Sequence, residues 1–352
     1  MSLSKYVMAV ALAIATSFVA QAGFINLGVN ITPSGVCGDG SRVTGYTPMQ
    51  YFQWTPADGL SGIGGSPPGN GVGGTPRISN DGSRIAGTAF NPISRENEMA
   101  YYTVANGTWT YLGGIGSMSG QEISSGWGIS GDGYSIVGLG WVSAGSAHAI
   151  QWQEGGSVID LGSTVPGRSS RANAVNQDGS VVAGWQDGTT GFRQGAVWVD
   201  GVQTLISDPG TGDPLSEASA LSADGQWVVG AGSFANEYQP WRWSADSGAE
   251  SLGTIFDPSW LGSATAISGD GAMILGFYRD FDSPPVLGEG FLWTPSDGMV
   301  NLTTYVNDLG IDTEGVTLSL PLAISADGST IVGAGRLGFS AVVGFVVQLP
   351  AN

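Results

Sequence analysis

A short segment recurs seven times along the 352-residue sequence, and this repetition constrains the fold more than any other feature. Each copy holds an Asp-Gly pair and, six residues after the Asp, a second glycine. The Asp residues are spaced 42, 51, 46, 46, 46 and 57 residues apart. They are Asp39, Asp81, Asp132, Asp178, Asp224, Asp270 and Asp327, and the second glycines are Gly45, Gly87, Gly138, Gly184, Gly230, Gly276 and Gly333. A period of this length is typical of repeat architectures.

The Asp-Gly pair predicts a tight hairpin turn, because both residues tolerate the positive φ angles that such turns require. A calcium loop is the alternative, but a lone Asp without further acidic residues in register is a poor calcium ligand set. Two residues before the Asp, six copies carry Ser or Asn and the first carries Cys37. The only cysteine therefore occupies a structural slot of the repeat, and no intrachain disulfide is possible.

The second half of each unit alternates apolar residues with a period of two, which predicts a strand with one buried face. In six units an aromatic residue ends this strand, and an apolar residue stands two positions earlier, as in Phe52 and Trp54 or Phe291 and Trp293. A turn and a short strand ending in Leu-Gly or similar complete the unit. Four strands in about 45 residues are typical of a propeller blade. A parallel β-helix needs shorter rungs, and a β-sandwich does not repeat.

The ends of the chain predict how the ring closes. After the seventh Asp-Gly pair the sequence supplies a third strand around Phe345, but no fourth strand follows before Asn352. The segment Phe24 to Gly28 resembles the fourth strands of other units. We therefore predict an all-β, seven-bladed propeller of four-stranded blades, in which the N-terminal strand completes the last blade.

The N-terminus has the features of a secretory signal peptide: Lys5, an apolar run from Tyr6 to Val19, and small residues up to Ala22. An uncleaved membrane anchor is the alternative, although the run is shorter than the roughly 20 residues of a spanning helix. We predict a signal peptide over residues 1–22 and one propeller domain over residues 23–352. The protein is then secreted to the extracellular space or cell surface, with the periplasm also possible, and its mature chain has no membrane span.

Charge restricts the partners. The sequence has 29 acidic residues against 11 Lys and Arg, for a formal net charge of −18. A field of this sign disfavours nucleic acid and anionic membrane surfaces. Only 11% of residues are charged and 41% are hydrophobic, so the composition is that of a folded domain with a substantial core. We expect a monomer that needs no cofactor and no metal.

The units resemble the HAF-type extracellular repeats of bacteria, as in Ala266 to Gly276 followed by Gly290 to Trp293. The resemblance covers nearly all of the predicted mature chain and implies a bacterial secreted or surface protein. It supplies no catalytic residue. The resemblance implies a C-terminal Pro-Glu-Pro sorting tail, which many such proteins have. This chain instead ends Val347-Gln-Leu-Pro-Ala-Asn352, so anchoring by such a tail is not expected. The Ser-x-Asp-Gly turn is more distantly similar to TolB-type repeats.

The candidate ligand-binding face is the one opposite the Asp-Gly turns, because the connections there vary in length. Examples are Thr88 to Glu98, Arg279 to Glu289 and Thr303 to Pro321, and variable loops on a regular scaffold commonly carry binding sites. Aromatic and arginine side chains suited to sugars, apolar groups or carboxylates follow the second strands at this face. They are Phe90, Trp141, Trp185, Tyr278, Arg279 and Arg336; packing between blades is the alternative role for each.

The sequence favours binding over catalysis. His148 is the only histidine and is expected in a surface loop, so histidine-rich metal sites and Ser-His-Asp triads elsewhere are excluded. The acidic stretch with Asp308, Asp312 and Glu314 either binds calcium or is simply solvated. The predicted function is that of a binding or structural module for a surface glycan or protein. The alternative is an extracellular polysaccharide lyase or glycosidase, whose paired carboxylates or Tyr and Arg groups would come from different blades.

Overall fold

A computed structural model describes residues 22–69, 73–234, 237–338 and 341–350. Its strands form seven antiparallel four-stranded sheets, each a blade, so the predicted seven-bladed propeller is confirmed. The predicted signal peptide falls on residues outside this description, Ala22 excepted, and remains a prediction. The first strand starts at Gly23, directly after the predicted cleavage point.

The strands are numbered in chain order. In blades 1 to 3 they are β1 (Gly23–Val29, which belongs to blade 7), β2 (Thr32–Val36), β3 (Val43–Tyr46), β4 (Tyr51–Thr55), β5 (Gly59–Gly64), β6 (Arg77–Ile78), β7 (Arg84–Asn91), β8 (Glu96–Thr103), β9 (Thr108–Tyr111), β10 (Ser124–Ile129), β11 (Ser135–Ser143), β12 (Ser146–Gln153) and β13 (Ile159–Gly162). In blades 4 to 7 they are β14 (Ser170–Val175), β15 (Val181–Asp187), β16 (Arg193–Val199), β17 (Val202–Leu205), β18 (Glu217–Leu221), β19 (Val228–Phe234), β20 (Glu237–Ser244), β21 (Gly248–Ser251), β22 (Leu261–Ile267), β23 (Ile274–Arg279), β24 (Glu289–Thr294), β25 (Gly298–Asn301), β26 (Val316–Ile324), β27 (Thr330–Leu337) and β28 (Ala341–Gln348).

The N-terminal strand closes the ring as predicted. Strand β1 pairs antiparallel with β28, with Phe24 opposite Val347 and Gly28 opposite Gly344. The sheet order is β1-β28-β27-β26, so one blade contains both ends of the propeller. Closure in this way leaves neither of the two terminal blades short of a strand.

Each Asp-Gly pair forms the predicted turn, but the two residues have different roles in it. Only the glycine has a positive φ, for example 79° at Gly133 and 76° at Gly271. The Asp carboxylate instead accepts two hydrogen bonds, which in the sixth blade come from the Ser268 hydroxyl at 2.6 Å and from the backbone N–H of Ala272 at 3.0 Å. The Ser268 oxygen accepts in turn from the N–H of Met273. The serine, the Asp and the glycine thus form one local network.

Cys37 takes the place of the serine in the first blade. Its side chain is 1% exposed, and its Sγ lies 3.1 Å from Oδ1 of Asp39. The backbone N–H of Arg42 donates to Sγ at 3.0 Å. Burial raises the pKa of the Cys37 thiol. The thiol therefore reproduces the hydrogen bonds of the serine that it replaces, which is the structural role that its position in the repeat predicts.

The second repeated glycine lies within the second strand of each blade. In six blades it pairs with the first-strand residue before a β-bulge, as Gly184 pairs with Ala172. A Cβ added at Gly184 would lie 2.0 Å from the backbone oxygen of Arg171, and at Gly138 it would lie 1.9 Å from that of Ser125. The bulge brings a carbonyl oxygen against the second strand, and only glycine leaves room for it.

The third strands alternate as predicted. The apolar residue two positions before the terminal aromatic is fully buried in every blade where the sequence pattern places it. These residues are Phe52, Ala100, Ile150, Ala196, Trp241 and Phe291. All but Ala100 belong to apolar clusters that run from one blade to the next, and the seventh blade contributes Phe345 in the same way. Packing between neighbouring blades therefore forms the core.

A closed belt of backbone hydrogen bonds joins the seven blades at the Asp-Gly end. In five blades the residue between Ser (or Cys) and Asp donates its N–H to the corresponding carbonyl of the next blade, as Gly38 does to Asn80 at 2.8 Å. In the other two the following Asp is the donor, and Asp327 closes the circle onto Gly38 at 3.2 Å. This end of the propeller is consequently fixed by main-chain contacts.

Several expected loops are regular structure. The stretch Thr303 to Pro321 contains a helix, α1 (Leu302–Asp308), and much of β26. The stretch Thr88 to Glu98 is mostly β7 and β8. His148 lies in β12 and not in a loop; its Nδ1 is 2.9 Å from a carboxylate oxygen of Asp160. In the described part of the chain no helix is both long and apolar enough to cross a membrane.

Candidate functional site

The face opposite the Asp-Gly turns contains a cavity of about 430 Å³ beside the central channel. Blades 3 and 4 supply most of its walls, and the connection from blade 1 to blade 2 contributes Pro68, Gly69 and Gly73. We call it the tryptophan cavity, and its polar and aromatic lining consists of Glu122, Ser125, Trp127, Trp141, Ser169, Arg171, Trp185, Asp187 and Arg193. Its volume falls within the range of small-molecule sites.

Two arginines and two tryptophans interleave along one wall of this cavity. The guanidinium of Arg171 lies 4.0 Å from the ring centre of Trp127 and 5.3 Å from that of Trp185. The guanidinium of Arg193 lies 4.1 Å from the ring centre of Trp185. Both arginines also pair with Glu217 on β18, at 3.0 and 2.9 Å. These cation–π contacts and ion pairs hold the rings in fixed orientations.

Glu122 fixes the opposite wall. It is 2% exposed, and its Oε1 accepts a hydrogen bond from Nε1 of Trp141 at 3.1 Å. Its Oε2 accepts from the backbone N–H of Gly73 at 2.6 Å. Burial raises the pKa of Glu122, while these hydrogen bonds act in the opposite direction. The carboxyl group thus ties Trp141 on β11 to the connection between blades 1 and 2.

The structure brings two of the six predicted site residues together. Trp141 and Trp185 line the tryptophan cavity, with Trp141 half-buried and Trp185 at 5% exposure. Phe90 is 50% exposed near the tip of the β7–β8 hairpin. All of the predicted residues lie within second strands rather than beyond them.

The remaining predicted residues lie in blades 6 and 7, away from this cavity. Tyr278 is 1% exposed, packs against Phe256 and Phe291, and donates its hydroxyl to the carbonyl of Gly253. Arg279 donates to three carbonyl oxygens of the loop that follows it. Arg336 pairs with Glu289. Their contacts are those of groups that organise the blade and its loop, and their role in binding stays a prediction.

The cavity also contains residues that the sequence did not single out: Glu122, Trp127, Arg171, Asp187 and Arg193. Trp127 and Arg171 lie on first strands, where attention to second-strand ends misses them. The repeat does contain a signal for these two residues. Trp127 lies two residues before the end of its first strand and Arg171 lies four residues before the end of its own, and other blades carry different side chains at these two positions. The contacts across blades that unite them are not visible in sequence.

The acidic stretch near α1 forms a turn. The carboxylate of Asp312 accepts the backbone N–H of Glu314 at 2.8 Å, and Glu314 has a φ of 54°. Among the residues that the structure describes, no group of three or more His, Cys, Asp or Glu side chains is placed to hold a metal ion.

Large apolar side chains stand exposed at the outer tips of this same face. They lie on hairpins between second and third strands of different blades, and they are Met49 (83% exposed), Ile93 (91%), Phe192 (80%) and Phe281 (72%). We call these residues the apolar tips. They surround the face on which the tryptophan cavity opens, and an exposed apolar set of this kind is a common feature of interaction surfaces.

Comparisons with known proteins give the fold. No protein-family model matches the chain, and no curated protein matches it. Among solved structures, an oligogalacturonate lyase from Vibrio parahaemolyticus is 11% identical with a TM-score of 0.60, over 95% of each chain. The β-propeller domain of the Trilobed protease from Pyrococcus furiosus is 12% identical with a TM-score of 0.58, over 91% of this chain and 95% of that one. These matches show the fold alone.

TolB from Acinetobacter baumannii is also similar, at 14% identity and a TM-score of 0.49 over 78% of this chain. This chain spans 64% of the length of that TolB. The HAF-type resemblance found in the repeats stays an expectation, since no family model matches. The Pyrococcus domain is described as having an open velcro topology, whereas here β1 closes the last blade.

Proposed function

We propose that this protein is a secreted propeller that binds a glycan of the cell surface in the tryptophan cavity. The observation that carries the proposal is the meeting of Trp127, Trp141 and Trp185 around one cavity of about 430 Å³. Aromatic rings bind the apolar faces of sugars, and neighbouring carboxylate and amide groups bind the hydroxyls. The predicted signal peptide supports placement outside the cytoplasm.

The charges favour a neutral, hydroxyl-rich glycan. Arg171 and Arg193 share the one carboxylate of Glu217, which compensates a single positive charge. Asp187 adds a carboxylate to the same cavity. With a formal net charge of −18 on the whole chain, a polyanionic sugar would meet an unfavourable field. Asp187 is well placed to accept hydrogen bonds from sugar hydroxyls.

A polysaccharide lyase or glycosidase is the second candidate, because Glu122 and Asp187 line one cavity. A catalytic acid must hold a proton that it can donate. The side chain of Glu122 is 2% exposed, and both of its oxygens already accept hydrogen bonds from N–H groups, so neither is free to protonate a bound sugar even though burial raises the pKa of the carboxyl group. Glu122 is therefore better suited to positioning Trp141 than to general acid catalysis, and binding is the preferred function.

A protein partner is the third candidate, supported by the apolar tips. These side chains stand at the rim of the same face, so a protein docked there would cover the cavity. Glycan and protein binding differ in which residues they need. A sugar requires the cavity tryptophans, whereas a protein interface requires Ile93, Phe192 or Phe281.

The test is retention of the purified protein on a glycan array, with each spot also analysed for new reducing or unsaturated ends. We expect retention on neutral glycans and no product. In Trp141→Ala, affinity should fall roughly tenfold or more, which corresponds to about 1.4 kcal/mol. Phe90→Ala is the matched control, since it removes an exposed aromatic side chain outside the cavity and should leave affinity unchanged.

Product formation that Asp187→Asn abolishes would favour the enzyme. If retention is lost equally in Phe192→Ala and Trp141→Ala, binding through the apolar tips would be favoured over binding in the tryptophan cavity alone. An array on which the protein binds no neutral glycan would contradict the proposed function.

A further inference from the structure

The first strands line a central channel through the propeller, and their repeat makes one position stand out. A ring of apolar side chains, one from each blade, lines the channel just before the Ser-x-Asp-Gly turns: Val36, Ile78, Ile129, Val175, Leu221, Ile267 and Ile324. In six blades the residue before this ring is glycine or alanine: Gly35, Gly128, Ala174, Ala220, Ala266 and Ala323. In the second blade it is Arg77.

Arg77 is held across the channel by two carbonyl oxygens. Its Nη1 donates to the carbonyl of Ser34 in blade 1 at 2.5 Å and to that of Leu322 in blade 7 at 3.2 Å. These contacts fix the plane of the guanidinium and leave its Nε and Nη2 edge without an acceptor among the described residues. Burial lowers the pKa of Arg77 to about 10, which still leaves it charged at neutral pH.

No carboxylate among the described residues is paired with Arg77. None of the six ion pairs within the described ranges includes Arg77. The charged residues lining the space around it are Arg171 and Glu217, which pair with each other. Arg77 is half-buried, and a charge that is partly withdrawn from water is stabilised by an opposite charge beside it. The surroundings of Arg77 thus favour a small anion.

The neighbouring side chains suit an anion with two oxygens. Ser219 and Thr265 line the same space as Arg77, in cavities of about 150 and 170 Å³. The Thr265 hydroxyl donates to the carbonyl of Pro321 at 2.6 Å, whereas the Ser219 hydroxyl makes no hydrogen bond within the described part of the chain. A guanidinium edge with two parallel N–H groups matches a carboxylate, and Ser219 can add a further donor.

We propose that the central channel is a binding site for a small monocarboxylate, of the size of formate or acetate, whose two oxygens accept from Nε and Nη2 of Arg77. The site is separate from the tryptophan cavity and does not depend on glycan binding. Trp127 borders both spaces, so its fluorescence reports on the channel as well as on the cavity.

The test is a titration of the purified protein with sodium acetate, at ionic strength held constant with sodium chloride, followed by calorimetry and tryptophan fluorescence. We expect saturable binding of one acetate. In Arg77→Gln, the dissociation constant should rise roughly tenfold or more, because a hydrogen-bonded charged partner is lost. Arg242→Gln is the matched control: Arg242 also packs against tryptophans but lies outside the channel, and acetate affinity should be unchanged.

Arg77→Gln loses two contacts between blades and could misfold, so a second variant is needed to keep the test interpretable. Ser219→Val leaves Arg77 in place and narrows the channel, so it should also weaken acetate binding. Trp141→Ala should bind acetate normally even if it no longer binds glycan, which separates this proposal from the proposed function. Absence of acetate binding, binding unchanged in both channel variants, or equal affinity for bromide would overturn the carboxylate site.

Discussion

Substitution of a single repeat glycine should destabilise the whole propeller. Gly230 on β19 pairs with Ala218, the residue before the bulge in β18. A Cβ at this position would lie 1.9 Å from the backbone oxygen of Glu217 and 2.5 Å from Cζ2 of Trp241. The first neighbour is main chain, and the second is a fully buried ring. Neither can move without shifting a strand or the contact between blades.

The size of the effect follows from this crowding. Overpacking a core costs about 1–3 kcal/mol and occasionally more. Because both neighbours are rigid, we expect Gly230→Ala to lower the free energy of unfolding by about 3 kcal/mol or more. With an unfolding entropy of about 2.1 cal/mol/K per residue, about 330 folded residues give roughly 0.7 kcal/mol/K. The melting temperature should therefore fall by about 4 °C or more.

Calorimetry or circular dichroism of the wild type and variant measures this shift. Gly145→Ala is the control, because a Cβ there meets no atom within 4 Å and the residue lies in a hairpin turn between β11 and β12. That control should melt within about 1 °C of the wild type, since surface substitutions are usually near neutral. If Gly230→Ala also melts within about 1 °C of the wild type, the steric explanation of the repeat glycines is wrong.

Two further predictions concern the ring and its turns. A chain that begins after Gly28 lacks most of β1 and exposes the edge of β28, so its thermal unfolding should shift sharply downward; an unchanged melting temperature would refute closure by β1. The pKa of Asp270 is lowered, mainly by the Ser268 hydroxyl. Its carboxylate therefore contributes stability that is present above about pH 4 and lost as the pH falls through its folded-state pKa. Asp270→Asn should lose less stability than the wild type between pH 5 and 2 in melting curves, and parallel curves would contradict this linkage.

The sequence predicted the scaffold well because the repeat depends on local rules. Asp and Ser side chains build each turn from neighbours only two to five residues away, and strand alternation placed Phe52 and Phe291 at buried positions. The sequence located the repeat glycines correctly, but it did not reveal why glycine is required there. The requirement for glycine depends on a bulge in the preceding strand, and the sequence pattern contains no sign of that bulge.

The site was predicted less completely because it joins residues far apart in the chain. Arg171 and Glu217 are paired across two blades, and Glu122 reaches Trp141 and Gly73 at once. Spacing along the sequence does not reveal such contacts. Arg77 was not predicted either, although the seven units, placed in register, show a single arginine in a column of glycine and alanine.

The belt of backbone hydrogen bonds explains why the two faces of the propeller differ in variability. At the Asp-Gly end each blade is joined to the next through main-chain groups, so the residue between Ser and Asp must keep one backbone geometry in all seven copies. A longer connection there would break two contacts between blades. At the opposite end no comparable belt occurs among the described residues, and connections can lengthen or carry large side chains without disturbing closure. Ligand recognition can therefore diverge at that face while the ring is maintained by the other.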